Sequence, residues 1–258
     1  GGSAIVSPPA TTNYTITGSG ANGCTSSVIS SVTVNALPLV SISGPASICN
    51  GSSANLTASG ALSYTWNTGA NTTGISVSPL STTNYTVNGT DGNGCVNQYS
   101  LQLTVNPLPF ISVNSGSVCL GQSFTIVPSG ASTYTYSGGS NLVSPTVNST
   151  YSVTGTSAQG CVSSNTAIST VNVISLPLVT VNSGTVCSGS VFTLIPSGAV
   201  SYTYSSGSAT VAPISSGSYT VTGTNAQGCV SAPAISNVSV TALPVVTANN
   251  GTICAGSN

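Results

Sequence analysis

Apolar and polar side chains alternate along short segments of this chain. The alternation has a period of two residues, which is the pattern of a β-strand with one face buried. Gly, Asn, Ser and Pro occupy the gaps between the segments and favour turns. No stretch of useful length shows the period of an amphipathic helix, so the sequence predicts an all-β fold. The clearest alternating segments are 54–59, 63–68, 75–78, 84–90 and 99–106.

The pattern belongs to an internal repeat of about 70 residues. The segment "LPLVSISGPASICNGSS" begins at Leu37 and returns in related form at Leu108, Leu176 and Leu243. A second landmark, a Tyr that precedes a Gly-Cys pair at constant distance, also appears four times. These landmarks predict a trailing half-repeat, three whole repeats and a leading fragment, at 1–36, 39–107, 110–175, 178–242 and 245–258.

Starting and stopping within a repeat has two interpretations. We expect the sequence to be one part of a longer array of repeats. A less favoured alternative is that the two end fragments complete each other between neighbouring molecules, by addition of strands from one chain to the sheet of another.

Six or seven short strands in a repeat of this length fit a small immunoglobulin-like β-sandwich. The Leu-Pro pair between repeats fits a stiff linker, because Pro fixes its own φ angle and restricts the residue before it. An open solenoid is the alternative architecture. Each repeat has its own aromatic and Cys residues, which favours discrete domains, so we predict tandem immunoglobulin-like β-sandwich domains in a linear array.

Aromatic residues recur at equivalent positions of the repeats. Tyr64 and Trp66 are two residues apart on one predicted strand, so both side chains point to the same face of the sheet. The favoured interpretation is core packing, with a Tyr hydroxyl bonded to the backbone; a carbohydrate-stacking platform is the alternative. The predicted core aromatics are Trp66, Tyr85, Tyr136, Tyr151, Tyr204 and Tyr219.

Composition excludes most chemistry. The chain has no Lys, Arg, His or Glu, and its single acidic residue is Asp91. General acid–base catalysis, activation of a Ser nucleophile and most metal sites all need those side chains, and nucleic-acid binding needs cations. We therefore expect no enzyme activity, no catalytic residue, no cofactor, no metal and no nucleic-acid partner. The apolar runs are too short for a membrane-spanning helix, and Asp91 is expected to be a turn residue.

Eight cysteines in a regular framework, without a Cys-x-x-Cys motif, indicate disulfides formed in an oxidising compartment. Pairing within each repeat is the first scheme. It joins Cys49 to Cys95, Cys119 to Cys161 and Cys187 to Cys229, and leaves Cys24 and Cys254 to other partners.

A second scheme follows from the expected topology. The cysteine after strand F lies at one end of its sandwich and the cysteine before strand B lies at the other. Because a disulfide cannot span that distance, pairing between successive repeats, Cys49 with Cys161 and Cys119 with Cys229, is the rival. The sequence leaves both schemes open.

A chain with almost no charge needs another way to stay dispersed or to assemble, because a net charge near zero favours association. Polymerisation into a fibre and a coat of covalent glycans are the two solutions, and they are compatible. The candidate glycosylation sites of Asn-x-Ser/Thr form are Asn13, Asn50, Asn55, Asn71, Asn84, Asn88, Asn148, Asn237 and Asn250.

The motifs "ICNG", "YTW", "YTV", "GC" and "LP" together resemble the immunoglobulin-like and PKD-like repeats of large Bacteroidota cell-surface proteins. The resemblance covers the whole chain. It implies export by the type IX system, a place in an adhesin, and modules without catalytic residues. The family normally has Asp, Lys and Glu on its surface, and this chain departs from it there.

The sequence therefore predicts a structural segment of an extracellular fibre, filament or adhesin stalk on the cell surface. Its expected partners are further repeats or copies of itself, and covalent glycans. A carbohydrate-binding or ice-binding surface module is the alternative function.

Overall fold

A computed structural model describes residues 2–255. The chain divides into two compact units. The first runs to Phe110 and includes Ala131–Thr133 and Gly155–Ser164. The second comprises Ile111–Gly130, Tyr134–Thr154 and the residues from Asn165 onward. Every helix or strand in the described residues is a β-strand, and no helix among them is long and apolar enough to cross a membrane.

The strands are numbered β1 to β25 in chain order. Strands β1 to β9 are Thr12–Ser19, Thr25–Val32, Ser41–Ser43, Ser47–Cys49, Ala54–Ser59, Ser63–Trp66, Gly74–Val77, Thr83–Thr90 and Val96–Asn106. Strands β10 to β17 are Ser112–Val113, Gly116–Cys119, Phe124–Thr125, Pro128–Ser129, Thr133–Tyr136, Leu142–Val143, Ser149–Thr156 and Ala167–Ile174. Strands β18 to β25 are Thr180–Val181, Gly184–Cys187, Phe192–Thr193, Pro196–Ser197, Ser201–Tyr204, Thr210–Val211, Gly217–Thr224 and Ala234–Thr241.

Strands β3 to β9 form two facing sheets. One sheet has the order β3-β5-β7 and the other the order β4-β9-β8-β6. In immunoglobulin notation these are A-B-E and A′-G-F-C, the division of strands that defines this sandwich. The A′–G pair, β4 with β9, is parallel, whereas the other pairs are antiparallel. The four-stranded sheet recurs as β11-β17-β16-β14 and as β19-β25-β24-β22, so the prediction of tandem, immunoglobulin-like all-β domains is confirmed.

The alternating pattern explains why these segments form strands. In β5, Ala54, Leu56 and Ala58 are buried and the residues between them are exposed. Burying one face of a strand removes apolar area from water, which stabilises the folded state by about 25 cal/mol for each Å² buried. The core of this sandwich also contains Trp66, Val87 and Leu103. Each predicted strand between residues 54 and 106 corresponds to an observed strand, while the repeat boundaries themselves stay a prediction.

Strand B differs between the repeats. In β5 the amide of Ala58 donates to the carbonyl of Thr73 at 2.8 Å. The equivalent residues in the next repeats are Pro128 and Pro196, which have no amide hydrogen and cannot continue that ladder. Strand B is accordingly divided into two short strands in both repeats, β12 with β13 and β20 with β21.

On the strand A side, an asparagine side chain bonds to strand B next to each of these prolines. The Oδ1 atom of Asn114 accepts from the amide of Val127 at 2.7 Å, and its Nδ2 donates to the carbonyl of Thr125 at 3.1 Å. Asn182 makes the same two bonds, to Ile195 and Thr193, in the following repeat. These side chains join strand A to the irregular middle of strand B.

Candidate functional site: the cysteines of strand A′ and of the F–G turn

One set of cysteines ends strand A′. Cys49 lies in β4 opposite Asn106, the last residue of the long strand β9. The amide of Asn50 donates to the carbonyl of Asn106 at 2.9 Å, and that of Ser52 to the carbonyl of Cys49 at 3.0 Å. We call Cys49, Cys119, Cys187 and, by sequence, Cys254 the A′ cysteines.

The other set closes the turn between strands F and G. We call Cys24, Cys95, Cys161 and Cys229 the FG cysteines. In the turn before β9, the Oδ1 atom of Asp91 accepts from the amides of Asn93 and Cys95, at 2.9 and 2.8 Å. The amide of Asp91 donates to the carbonyl of Cys95 at 3.0 Å. The prediction that Asp91 is a turn residue is confirmed.

The other copies of this turn do not need a carboxylate. The side-chain amide oxygen of Asn225 accepts from the amide of Cys229 at 2.8 Å. The hydroxyl of Ser157 accepts from the amide of Cys161 at 3.2 Å. The carboxylate of Asp91 therefore acts as a hydrogen-bond acceptor, a role that a neutral oxygen also performs. Within residues 2–255 no three potential metal ligands come together.

Two disulfides join an A′ cysteine to an FG cysteine of the following repeat. Cys49 pairs with Cys161 within the first compact unit, and Cys119 pairs with Cys229 within the second. The Cα atoms are 5.6 Å apart in both. The paired FG cysteines are 0% and 1% exposed, so each disulfide is enclosed on that side. The prediction of pairing between successive repeats is confirmed for these two bonds.

Pairing within repeats is wrong, and strand length is the reason. Cys95 directly precedes β9, whereas Cys49 lies opposite the last residue of β9. That strand has 11 residues, which at about 3.3 Å per residue separates the two cysteines by about 35 Å. A disulfide needs Cα atoms closer than about 7 Å. The proposed Cys119–Cys161 and Cys187–Cys229 bonds are excluded as well, because Cys119, Cys161 and Cys229 have the other partners.

Four cysteines have no disulfide in the described residues. Cys24, Cys187 and Cys254 are exposed, and Cys95 is half-buried. Two of them, Cys187 and Cys254, are A′ cysteines, and the other two are FG cysteines.

The predicted core aromatics differ in burial. Trp66 is 2% exposed, and its Nε1 donates to the carbonyl of Thr72 at 2.9 Å. Tyr85 is also buried. The hydroxyl of Tyr64 accepts from the amide of Ala61 and donates to the carbonyl of the same residue, both at 2.9 Å. Core packing is thus confirmed for Trp66 and Tyr85, while four further aromatics are half-buried: Tyr136, Tyr151, Tyr204 and Tyr219.

The nine candidate glycosylation asparagines are all exposed. Several of their side chains bond to the protein. The Oδ1 atom of Asn148 accepts from the amide of Val173 at 2.7 Å, and that of Asn88 accepts from the side chain of Gln98 at 3.0 Å. Glycosylation of these residues stays a prediction.

Strand A′ and the two asparagines that bond to strand B were not predicted from the sequence. Strand A′ has three or four residues per copy, too few for an alternating pattern to be recognised. Asn114 and Asn182 occur in the repeated "VNSG" segments, and that repetition was the available signal.

No family model matches the sequence, and no curated protein matches it. Among solved structures, the chain is similar to a Ca2+-stabilized adhesin that helps an Antarctic bacterium bind ice, at 15% identity and a TM-score of 0.39, over 90% of this chain and 82% of that one. It is also similar to a structure of three immunoglobulin domains of titin, at 9% identity and a TM-score of 0.40, over 81% of this chain and 100% of that one. The N-terminal four immunoglobulin domains of Dscam1 match at 13% identity and a TM-score of 0.23, over 83% and 77% of the two chains. Likenesses this weak carry no inference about function.

Proposed function

We propose that this chain is a structural segment of an extracellular fibre, filament or adhesin stalk built from immunoglobulin-like repeats. The observation that carries the proposal is the pairing of A′ and FG cysteines from successive repeats, Cys49 with Cys161 and Cys119 with Cys229. Disulfides of this kind persist in oxidising surroundings, which favours a location outside the cell or on its surface.

The two disulfides suit a chain that bears tension. They span 112 and 110 residues and overlap between Cys119 and Cys161. In the chain-entropy model, closing a loop of this size stabilises the folded state by about 4–5 kcal/mol. Because the loops overlap, pulling on the chain extends only a small part of the segment between Cys49 and Cys229.

The lack of charge points to what surrounds the segment. With one acidic residue and no basic residue, little repulsion keeps copies apart. The proposed partners are further repeats or copies of the chain, and covalent glycans on the nine exposed asparagines. Peptides cleaved from native material that have the masses of the bare sequence at all nine asparagines would refute the glycans while leaving the structural role in place.

The alternative of a carbohydrate- or ice-binding module has less support. A stacking platform needs exposed aromatic rings, yet Trp66 and Tyr85 are buried. The hydroxyls of Tyr64 and Tyr202 bond to the backbone of their own turns.

Electron microscopy of the native material tests the proposal. We expect fibres whose density fits successive immunoglobulin-like sandwiches, with extra density on exposed asparagines where glycans are attached. Dispersed single chains with reduced cysteines in material taken directly from the source would contradict the structural role.

A further inference from the structure

We infer that the unpaired cysteines form the same A′-to-FG disulfides with additional repeats of this kind. Cys187 takes the FG cysteine of another repeat, and Cys95 and Cys24 each take an A′ cysteine. The inference rests on the proposed function only in taking such repeats to be neighbours, and it specifies which atoms join them.

Cys187 is already held in the geometry of a paired A′ cysteine. It lies in β19 opposite Thr241, as Cys119 lies in β11 opposite Ile174. The amide of Ser190 donates to the carbonyl of Cys187 at 2.9 Å. The equivalent bond, from Gln122 to Cys119, is also 2.9 Å. The backbone around Cys187 is thus the same as around the bonded Cys119, and Cys187 itself is exposed.

The FG turns with unpaired cysteines are equally preformed. The amide of Asp91 donates to the carbonyl of Cys95 at 3.0 Å, and that of Ser157 donates to the carbonyl of the bonded Cys161 at 2.9 Å. What differs is burial: Cys161 is fully buried, whereas Cys95 is half-buried. An FG cysteine is therefore enclosed when it is bonded to its A′ partner. Cys95 has the same turn, but in the part of the chain that the structure describes no neighbouring repeat buries its side chain.

The hairpin of β1 and β2 gives a separate indication that an immunoglobulin-like repeat is the partner. Its turn is closed, since the amide of Gly20 donates to the carbonyl of Cys24 at 2.8 Å. Ile16 lies two residues after Tyr14, and Val87 lies two residues after Tyr85, so the two positions are equivalent. Ile16 is 57% exposed, whereas Val87 is fully buried. In a complete sandwich the opposite sheet covers this position. The hairpin therefore presents an apolar face that strands of a repeat of this kind fit.

The pairing rule is that an A′ cysteine bonds only to an FG cysteine of another repeat, and this rule gives the array a direction. The unpaired set contains A′ cysteines and FG cysteines, and the two observed bonds each join one of each class. Joining unlike ends is a head-to-tail arrangement, which builds a linear array rather than a closed pair. Each new bond forms from two thiols, which lose two protons and two electrons to a disulfide oxidant. With oxidised glutathione as the oxidant, the electrons reduce it to two molecules of glutathione.

Two variants of the full chain test the rule. The first, Cys24→Ser with Cys95→Ser, keeps only A′ thiols, and the second, Cys187→Ser with Cys254→Ser, keeps only FG thiols. Both retain the two existing disulfides, which a mass measurement verifies. In a glutathione redox buffer, each variant alone should remain at 25.0 kDa on a non-reducing gel. An equimolar mixture should form a covalent dimer, at least about tenfold more abundant than in either variant alone.

Two results would overturn the inference. Dimers of either single variant at the level of the mixture would mean that the thiols react without regard to class. Absence of a dimer from the mixture would also overturn it.

Peptide mapping of native material distinguishes the source of the partner. Trypsin has no site in a chain without Lys and Arg, so chymotrypsin is used. In material that runs as covalent multimers on a non-reducing gel, a Cys187 peptide linked to Cys24 or Cys95 identifies a second copy of this chain. A Cys187 peptide linked to a Gly-Cys peptide of another sequence identifies a different repeat, and both results support the rule. Cys187 bonded to another A′ cysteine, or found as a free thiol in intact fibres, contradicts the rule while the proposed function stands.

Discussion

Individual side chains stabilise this protein through packing and neutral hydrogen bonds. Trp66 shows both, because its ring is buried in the core and its Nε1 bonds to the carbonyl of Thr72. Asp91, the only acidic residue, makes contacts that Asn225 makes with an amide oxygen. The sequence predicted both roles from position, since Trp66 follows the strand period and Asp91 lies in a Gly-rich turn. Salt therefore has few charge interactions to screen in this chain.

Truncating the buried tryptophan should be costly. We expect Trp66→Ala to lower the free energy of unfolding by about 3–5 kcal/mol, because it leaves a large cavity in the first sandwich. Urea denaturation followed by circular dichroism measures the change. Leu62→Ala is the control: Leu62 is 78% exposed, and its truncation should change stability by less than about 0.5 kcal/mol. Equal effects of the two substitutions would contradict the assigned core.

The turn residue gives a graded test. Asp91→Asn keeps an oxygen for the amides of Asn93 and Cys95, so we expect a change in unfolding free energy within about 0.5 kcal/mol. Asp91→Ala removes that acceptor and should cost about 1–2 kcal/mol. Thermal or urea denaturation of both variants measures these two changes in unfolding free energy. A large loss with Asn would mean that the charge itself is required, for example by a cation.

At the scale of strands, the alternating pattern was a good guide wherever a strand was long enough to show it. It located β5 to β9, and buried residues recur at every second position in β5 and in β8. It did not find β3 and β4, which have three residues each. The division of strand B was also missed, because its cause is the lack of an amide hydrogen at Pro128 and Pro196, and that matters only once the neighbouring strand is known.

Close packing between strands leaves no room for a side chain at Gly223. A Cβ atom on Gly223 in β24 would lie 2.5 Å from the Cβ of Ala199 and 2.6 Å from the Cγ2 of Val179. We expect Gly223→Ala to destabilise the protein by about 1–3 kcal/mol through overpacking. Gly217 begins the same strand and has open space around its Cβ position, so Gly217→Ala is the matched control and should be near neutral. Comparable midpoints in urea would show that the contact relaxes without cost.

At the scale of the whole molecule, topology decided what cysteine spacing left open. Counting residues allowed pairing within or between repeats. Placing Cys49 and Cys95 at opposite ends of one sandwich excluded the first scheme, and the disulfides of Cys161 and Cys229 follow the second. Whether the exposed asparagines hold glycans depends on enzymes outside the molecule, so neither sequence nor fold determines it.

Stretching single molecules with and without a reductant tests the central claim, that disulfides cross-link successive repeats into a segment that bears tension. With both disulfides intact, the shortest covalent path from Cys49 to Cys229 passes through the two bonds and the roughly 42 residues between Cys119 and Cys161. At about 3.5 Å per residue this path extends to about 160 Å. Reduction should lengthen the same segment to about 630 Å, a gain of about 470 Å. An extension that is the same with and without the reductant would contradict the account.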